Sequence, residues 1–365
     1  MNRRSLLAGG GAVLIAGAGA SYLAVRDMGS MEEYAAAVAA TRVALKQTPE
    51  MRDFIRYATL APSGHNTQPW KFRPGDGGVE ILPDTSRRTP VVDPDDHHLF
   101  VGLGCSAETL AIAAGATERP GEVAFDPGNG GSVRVTLGSG ARSDADLCDA
   151  ITKRQSTRSV YDGRAVGGKA LQLLAKAAAI PGVDLVLFTG RAQIDRIRDL
   201  VVAGNTAQMA DAAFVRELKH WLRFSPRQAL ATGDGLFSAS SGLPALPAWL
   251  GPHLFDWVVT AKSENDTYAR QLASSAGIAV FVSQMEDKAH WVLAGRACQR
   301  FALQATALGI KHAFVNQPIE VPSLRPELAS LLGLPGRRPD LVMRFGYGPV
   351  LPYSARRPVG SSVIA

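Results

Sequence analysis

Residues 61–70 read Ala-Pro-Ser-Gly-His-Asn-Thr-Gln-Pro-Trp and crowd hydrogen-bonding side chains between two prolines. Pro62 and Pro69 fix φ, Gly64 relieves steric limits, and Ser63, Asn66 and Gln68 can offer hydroxyl and amide groups to a flat heterocycle rich in donors and acceptors. A plain turn before the apolar Trp70-Lys71-Phe72 has the same composition, because turns favour these residues anyway. A second chemical stretch is Arg154-Gln155-Ser156-Thr157-Arg158. Two guanidinium groups flanking a hydroxyl suit a phosphate monoester, and a solvated basic turn reads the same way.

These stretches need a large scaffold, and the chain has one. At 365 residues and 46% hydrophobic content it can bury a sizeable core, organised as two halves at 31–150 and 151–360. The net charge of +6, from 39 basic and 33 acidic residues, is scattered and forms no nucleic-acid stripe. Cys105, Cys148 and Cys298 form no Cys-x-x-Cys pair, so neither a zinc site nor a disulfide framework is suggested. His97-His98 follows Asp93-Pro94-Asp95-Asp96, but a helix start accounts for the acids and adjacent histidines point to different faces, so no metal is expected.

Residues 1–25 open with Asn2-Arg3-Arg4-Ser5-Leu6-Leu7 and continue through a Gly- and Ala-rich run from Ala8 to Ala20. They resemble a twin-arginine signal, which implies export of the folded chain by the twin-arginine machinery to a periplasmic or other extracytoplasmic compartment. An ordinary secretory signal or a membrane anchor is the alternative, although the glycines make a poor spanning helix. Cleavage near Ala20 and retention as an anchor both remain open.

Periodicity predicts helices at 32–45, 51–60, 97–117, 169–180, 191–206, 212–221 and 286–308, and another starting at Ala145. Strands are expected at 79–82, 133–137, 184–188, 277–283 and 341–345, with one beginning at Phe314. Residues 225–265, rich in Gly, Pro and Trp, show no clear period and read either as a lid or as a helical hairpin packed on the surface. The two long helices expected to be buried, from His97 and from Glu286, also align. His97 and His290, Gly102 and Gly295, Cys105 and Cys298, and Leu110 and Leu303 are each 193 residues apart, the signature of a duplication whose helices face each other.

The loop matches Pro-Ser-x-x-Asn-x-Gln-Pro-Trp at Pro62, Ser63, Asn66, Gln68, Pro69 and Trp70, and in this it resembles the flavin loop of the nitroreductase family. Arg154, Ser156 and Arg158 resemble that family's Arg-x-Ser-x-Arg signature, with Tyr161 one place later than its usual aromatic. Asn316-Gln317-Pro318-Ile319-Glu320 resembles the segment beside flavin N5, and Arg356-Arg357 the C-terminal basic pair. The closest resemblance is to the tandem, Acg-type branch. It implies an α+β nitroreductase-like fold of two tandem halves forming a pseudo-dimer around one FMN.

On that resemblance Pro62, Ser63, Gly64, Asn66, Gln68, Arg154, Ser156, Arg158, Gln317, Pro318, Ile319, Glu320, Arg356 and Arg357 bind the cofactor. Arg154 and Ser156 hold its phosphate, and Arg158 approaches N1 and O2 of the ring. No catalytic residue beyond the flavin is required; His65 could donate to substrate, or could simply stabilise the loop. The expected activity is reduction of a small electron-poor acceptor, such as a nitroaromatic or quinone, with NAD(P)H, a quinol or a redox protein as donor. The alternative is an FMN-sequestering protein without turnover.

Overall fold

In the computed structural model, which describes residues 27–364, the twin-arginine expectation at 1–25 lies outside the described residues. Two short helices, α1 (Met31–Thr41) and α2 (Met51–Ala58), lead into a sheet of β1 (Trp70–Gly75), β2 (Gly78–Pro83), β3 (Gly121–Asp126) and β4 (Ser132–Leu137). The long helix α3 (His97–Gly115) lies between β2 and β3 in the chain. After α4 (Ala145–Ile151) and α5 (Gly168–Ala177), β5 (Val183–Phe188) begins a second sheet. Next come α6 (Arg191–Ala210), α7 (Ala212–Trp221), β6 (Leu222–Arg223), α8 (Pro226–Thr232), β7 (Leu236–Phe237), α9 (Gly251–Val258) and α10 (Ala261–Ala273). The chain closes with β8 (Gly277–Ser283), α11 (Lys288–Ala307), β9 (Lys311–Phe314), α12 (Gln317–Glu320), α13 (Arg325–Leu331), β10 (Leu341–Gly346) and α14 (Val359–Ser362).

Both sheets have four strands, all antiparallel, in the orders β1-β2-β4-β3 and β5-β8-β10-β9. Counted within its own half, each is a 1-2-4-3 sheet whose long helix follows the second strand. The shared topology is the structural counterpart of the 193-residue repeat. The chain's C-terminal end crosses to the first sheet, where Phe72 of β1 bridges to Val363, while Ser156 bridges to His312 of β9 within the second half.

The fold is therefore α+β with two tandem halves, and its centre is the contact between α3 and α11. Their backbones touch because glycine faces backbone on both sides. A Cβ on Gly104 would sit 2.1 Å from the Val292 carbonyl oxygen, and one on Gly295 would sit 2.0 Å from that of Val101. The Cys105 thiol donates to the Gly295 carbonyl at 3.1 Å. Around this contact the buried carboxylate of Glu108 accepts from Arg296 Nε at 2.7 Å and Arg300 Nη1 at 2.8 Å. The expected cap of α3 comes from Asp93, whose two oxygens accept from the N–H groups of His98 (2.9 Å) and Leu99 (3.0 Å).

Three expectations change. Strands β1 and β3 were not anticipated because both are edge strands, and half-exposed edges lose the apolar alternation that marks a strand. Phe314 ends β9 rather than beginning a strand. Residues 225–265, read as lacking a clear period, hold helices α8 and α9 and the short β7.

Candidate functional site

Two adjoining cavities lie where the halves meet. The larger, about 200 Å³, is walled by Pro62 to His65, by Val101, Gly102 and Cys105 of α3, by Arg158, and by Gln317 and Glu320 of α12. The smaller, about 60 Å³, is lined by Arg42, Asn66, Arg154, Ser156, Ser354 and Arg356. Pro62, Ser63, Arg158, Leu236 and Phe314 border both. The first-half loop and the second-half arginine stretch thus converge on one cleft, with an apolar and amide end and a basic end.

The basic end is unusual in having no counter-charge. Arg42, Arg154, Arg158 and Arg356 face it, and no carboxylate pairs with any of them among the described residues. Arg154 is buried and donates through Nη2 to the Leu60 carbonyl at 3.0 Å, while its Nε and Nη1 have no partner. Burial pulls its pKa down to about 10, which leaves it charged at neutral pH. Arg42 is brought to about 10 first by burial and then by Arg154. Buried, unpaired donors of this kind are costly unless an anion satisfies them.

The loop works differently from its sequence reading. Gly64 has an ordinary backbone with open space where a Cβ would stand, whereas His65 (φ 46°), Asn66 (φ 55°) and Gln68 (φ 54°) take the left-handed conformation. Three such non-glycine residues within four positions are held by tertiary hydrogen bonds, as strained site loops must be. Ser63 Oγ accepts from Gln68 N at 3.0 Å. Asn66 donates to the carbonyls of Gly235 (3.1 Å) and Ala355 (3.3 Å) and accepts from Arg356 Nη1 at 3.0 Å. Gln68 donates to Gly233 O at 2.9 Å and accepts from Arg357 N at 2.9 Å, and it borders neither cavity. The amides expected to meet a ligand are instead consumed in bracing the loop. We predict that Asn66→Ala costs about 1–3 kcal/mol of stability, measured by urea unfolding, because the Gly235 carbonyl is left without its donor while Arg356 Nη1 and the Ala355 carbonyl keep each other.

Other expected residues divide in the same way. Arg356 borders the smaller cavity, but its nitrogens serve carbonyls of Thr59, Leu60 and Ala61. Arg357 borders neither cavity and reaches Gln68 O at 3.3 Å. Pro318 and Ile319 are buried off the cavities, Ile319 in the core beneath the second sheet, because the turn of α12 presents only Gln317 and Glu320 to the cleft. Tyr161 is buried under Arg344 and donates to Thr157 O at 3.1 Å.

His65 borders the larger cavity, with a buried, partnerless Nδ1; burial, then Arg158 and His98, push its pKa to about 4, so it is neutral at pH 7. No loop-stabilising hydrogen bond from its ring accompanies it. The carboxyl of Glu320 is raised by burial and accepts from Gln208 Nε2 at 2.6 Å. Sequence reasoning missed His98, Asn205, Gln208, Glu264 and Tyr268, which complete the polar wall. The available signal was Asn205 and Gln208 on the otherwise apolar buried face of α6. Asp93, His97 and His98 place possible ligand atoms within 4.8 Å of one another, so the two histidines do not diverge as expected. Asp93 is nevertheless engaged as the helix cap, and His97 Nε2 meets Asp340 Oδ1 at 2.9 Å.

The loop's far anchor is Asp234, between the two glycines that Gln68 and Asn66 grip. Its carboxylate accepts from Arg223 Nη2 at 2.6 Å and from Arg87. Burial alone would raise its pKa, but these two guanidinium groups outweigh burial and hold it below the usual value. Its contribution is therefore present above the unfolded carboxylate pKa and lost as pH falls through the folded one. In acid titrations followed by circular dichroism, Asp234→Asn is expected to lower stability at pH 7 and to flatten the loss of stability as pH falls below about 4.

No family model matches the chain. It is 24% identical over 326 residues to "Putative NAD(P)H nitroreductase Rv3131" of Mycobacterium tuberculosis strain H37Rv, covering 86% of this chain and 90% of that protein. It is 23% identical over 340 residues to "Putative NAD(P)H nitroreductase acg" of the same strain, covering 86% and 94%. Among solved structures it resembles the FMN-dependent nitroreductase NfnB from Mycobacterium smegmatis in complex with NADPH (14% identity, 60% and 97% covered, TM-score 0.39). It also resembles a nitroreductase with bound FMN from Desulfitobacterium hafniense (16% identity, 60% and 97% covered, TM-score 0.38). Along most of its length the chain is similar to proteins named as nitroreductases.

Proposed function

We propose that the adjoining cavities hold one FMN, its ring in the larger and its phosphate in the smaller, in an oxidoreductase that reduces a small electron-poor acceptor such as a nitroaromatic or quinone. The observation that carries this reading is Arg154: a buried guanidinium with two unpartnered nitrogens, in a cavity ringed by arginines without a carboxylate. That donor set fits a phosphate monoester. FMN, when bound, supplies two-electron chemistry at N5.

The protein's part is binding and orientation. Arg154 and Arg42 would hold the phosphate, with Ser156 beside them. Arg158, at the junction of the cavities and without a carboxylate partner, would favour negative charge on a reduced ring. His65, neutral at pH 7, would meet the acceptor without adding a charge, beside the Glu320 carboxyl, whose pKa burial raises and which accepts from Gln208. NAD(P)H, named in the relatives, is one donor class, and a quinol or redox protein is the other. The second class follows from export through the twin-arginine route, which retention of an Arg3→Lys/Arg4→Lys chain in the cytoplasm would support and its unimpaired export would refute.

Cavity size favours one rival. Cavities of about 200 and 60 Å³ lie below the roughly 300–1,000 Å³ of ordinary ligand pockets, so a flavin seated there would take all of the space and a second reactant would need the site to widen. Sequestration of FMN without turnover is the reading this supports. One experiment separates the two: the purified protein's visible spectrum is recorded, then dithionite and a nitroaromatic or quinone are added. Reoxidation by the acceptor supports the reductase. Reduced flavin that stays reduced supports storage, and a colourless protein that takes up no FMN removes both.

A further inference from the structure

We infer that residues 243–258 form a face that docks on a lipid bilayer. Leu243, Trp249, Trp257 and Val258 are 58%, 59%, 85% and 65% exposed, a concentration of large apolar side chains that a soluble surface does not need. Indole rings with one apolar and one polar edge settle at the membrane–water boundary. The segment is anchored on Phe224: Leu246 N donates to Phe224 O at 2.9 Å, and Gly251 packs directly on the Phe224 ring.

The departure point of the remaining chain selects a bilayer over other occupants. Asp27, the first described residue, pairs with Arg227 at 3.4 Å, and Gly29 lies against the same arginine. Arg227 is on α8, three residues beyond Phe224, so the described chain begins beside the strip. Residues 8–20 are uncharged and apolar. Residues 21–26 supply a tether of at most about 20 Å, at roughly 3.3–3.6 Å per residue. A membrane that receives residues 8–20 is therefore held within reach of Trp249 and Trp257. Val259, next in sequence after the strip, borders the larger cavity, so that cavity lies just behind the docking face. The inference concerns the surface and stands or falls apart from the flavin reading.

The test uses the full chain with phosphatidylcholine/phosphatidylglycerol vesicles whose acyl chains are brominated. Trp70, Trp221 and Trp291 are buried, so bromine quenching of tryptophan emission reports Trp249 and Trp257. We expect quenching of the vesicle-bound protein that Trp249→Phe/Trp257→Phe abolishes. We also expect about tenfold weaker partitioning for Trp257→Ser/Val258→Ser, which alters only exposed positions. Bound protein with unquenched emission, or partitioning indifferent to the serine substitutions, would assign all binding to residues 1–26 and overturn the inference. Protein that stays off vesicles and instead dimerises with rising concentration would make a second copy the occupant, with the same consequence.

Discussion

Arg154→Ala is expected to weaken FMN binding by about 1.5–3 kcal/mol, roughly a 10- to 150-fold rise in Kd by fluorescence titration. The size follows from what the guanidinium lacks. Its Nη2 is already spent on the Leu60 carbonyl, but Nε and Nη1 are free and buried at the wall of the basic cavity. A phosphate there would receive charge-assisted bonds. It would also relieve mutual repulsion, since Arg154 depresses the pKa of both Arg42 and Arg356. Inorganic phosphate should accordingly raise the melting temperature of FMN-free wild-type protein and raise that of the alanine variant much less. Equal affinity in both proteins, with the fold intact by circular dichroism, would mean that the phosphate lies elsewhere.

Gly295→Val is the second large effect, and it acts on the whole molecule. The added atoms meet backbone on α3, the Val101 carbonyl oxygen at 2.0 Å and the Cys105 nitrogen at 3.0 Å, so no side chain can swing aside. The helices must separate, and with them Cys105 and the Glu108 ion pairs that clamp the two halves. Overpacking ordinarily costs 1–3 kcal/mol, and a backbone clash at the centre of the fold belongs at or above about 3 kcal/mol. Gly64→Ala is the control: it has open space and an ordinary φ, and its unfolding midpoint should stay near wild type. If Gly295→Val unfolded at the wild-type urea concentration, the close contact of α3 and α11 would not exist in solution.

The central helices were legible because burial on nearly all sides leaves mostly small and apolar residues, as in 97–115, and the repeat was legible because identical contacts demand similar residues at a fixed spacing. The convergence of Ser63 and Asn66 with Arg154 and Arg158 was legible only through family resemblance; no periodicity links residues ninety positions apart. The direction in which each side chain is used was not legible. Asn66 and Gln68 look like ligand donors in a row of letters, yet their left-handed backbone turns the amides toward Gly233, Gly235 and Ala355. Pro318 and Ile319 differ from Gln317 and Glu320 only in which side of one helical turn they occupy.

Sequence alone determined composition, the elements with strong period, and which residue types could meet a phosphate or a flat ring. Tertiary structure decided which of them do. Hydrogen-bond satisfaction in a buried loop is a contest among all neighbours, most of them distant in the chain, and a carbonyl from residue 235 or 355 can take an amide before any ligand arrives. Arg154 is the case where the contest leaves donors over, and that surplus is visible only once every neighbour is in place.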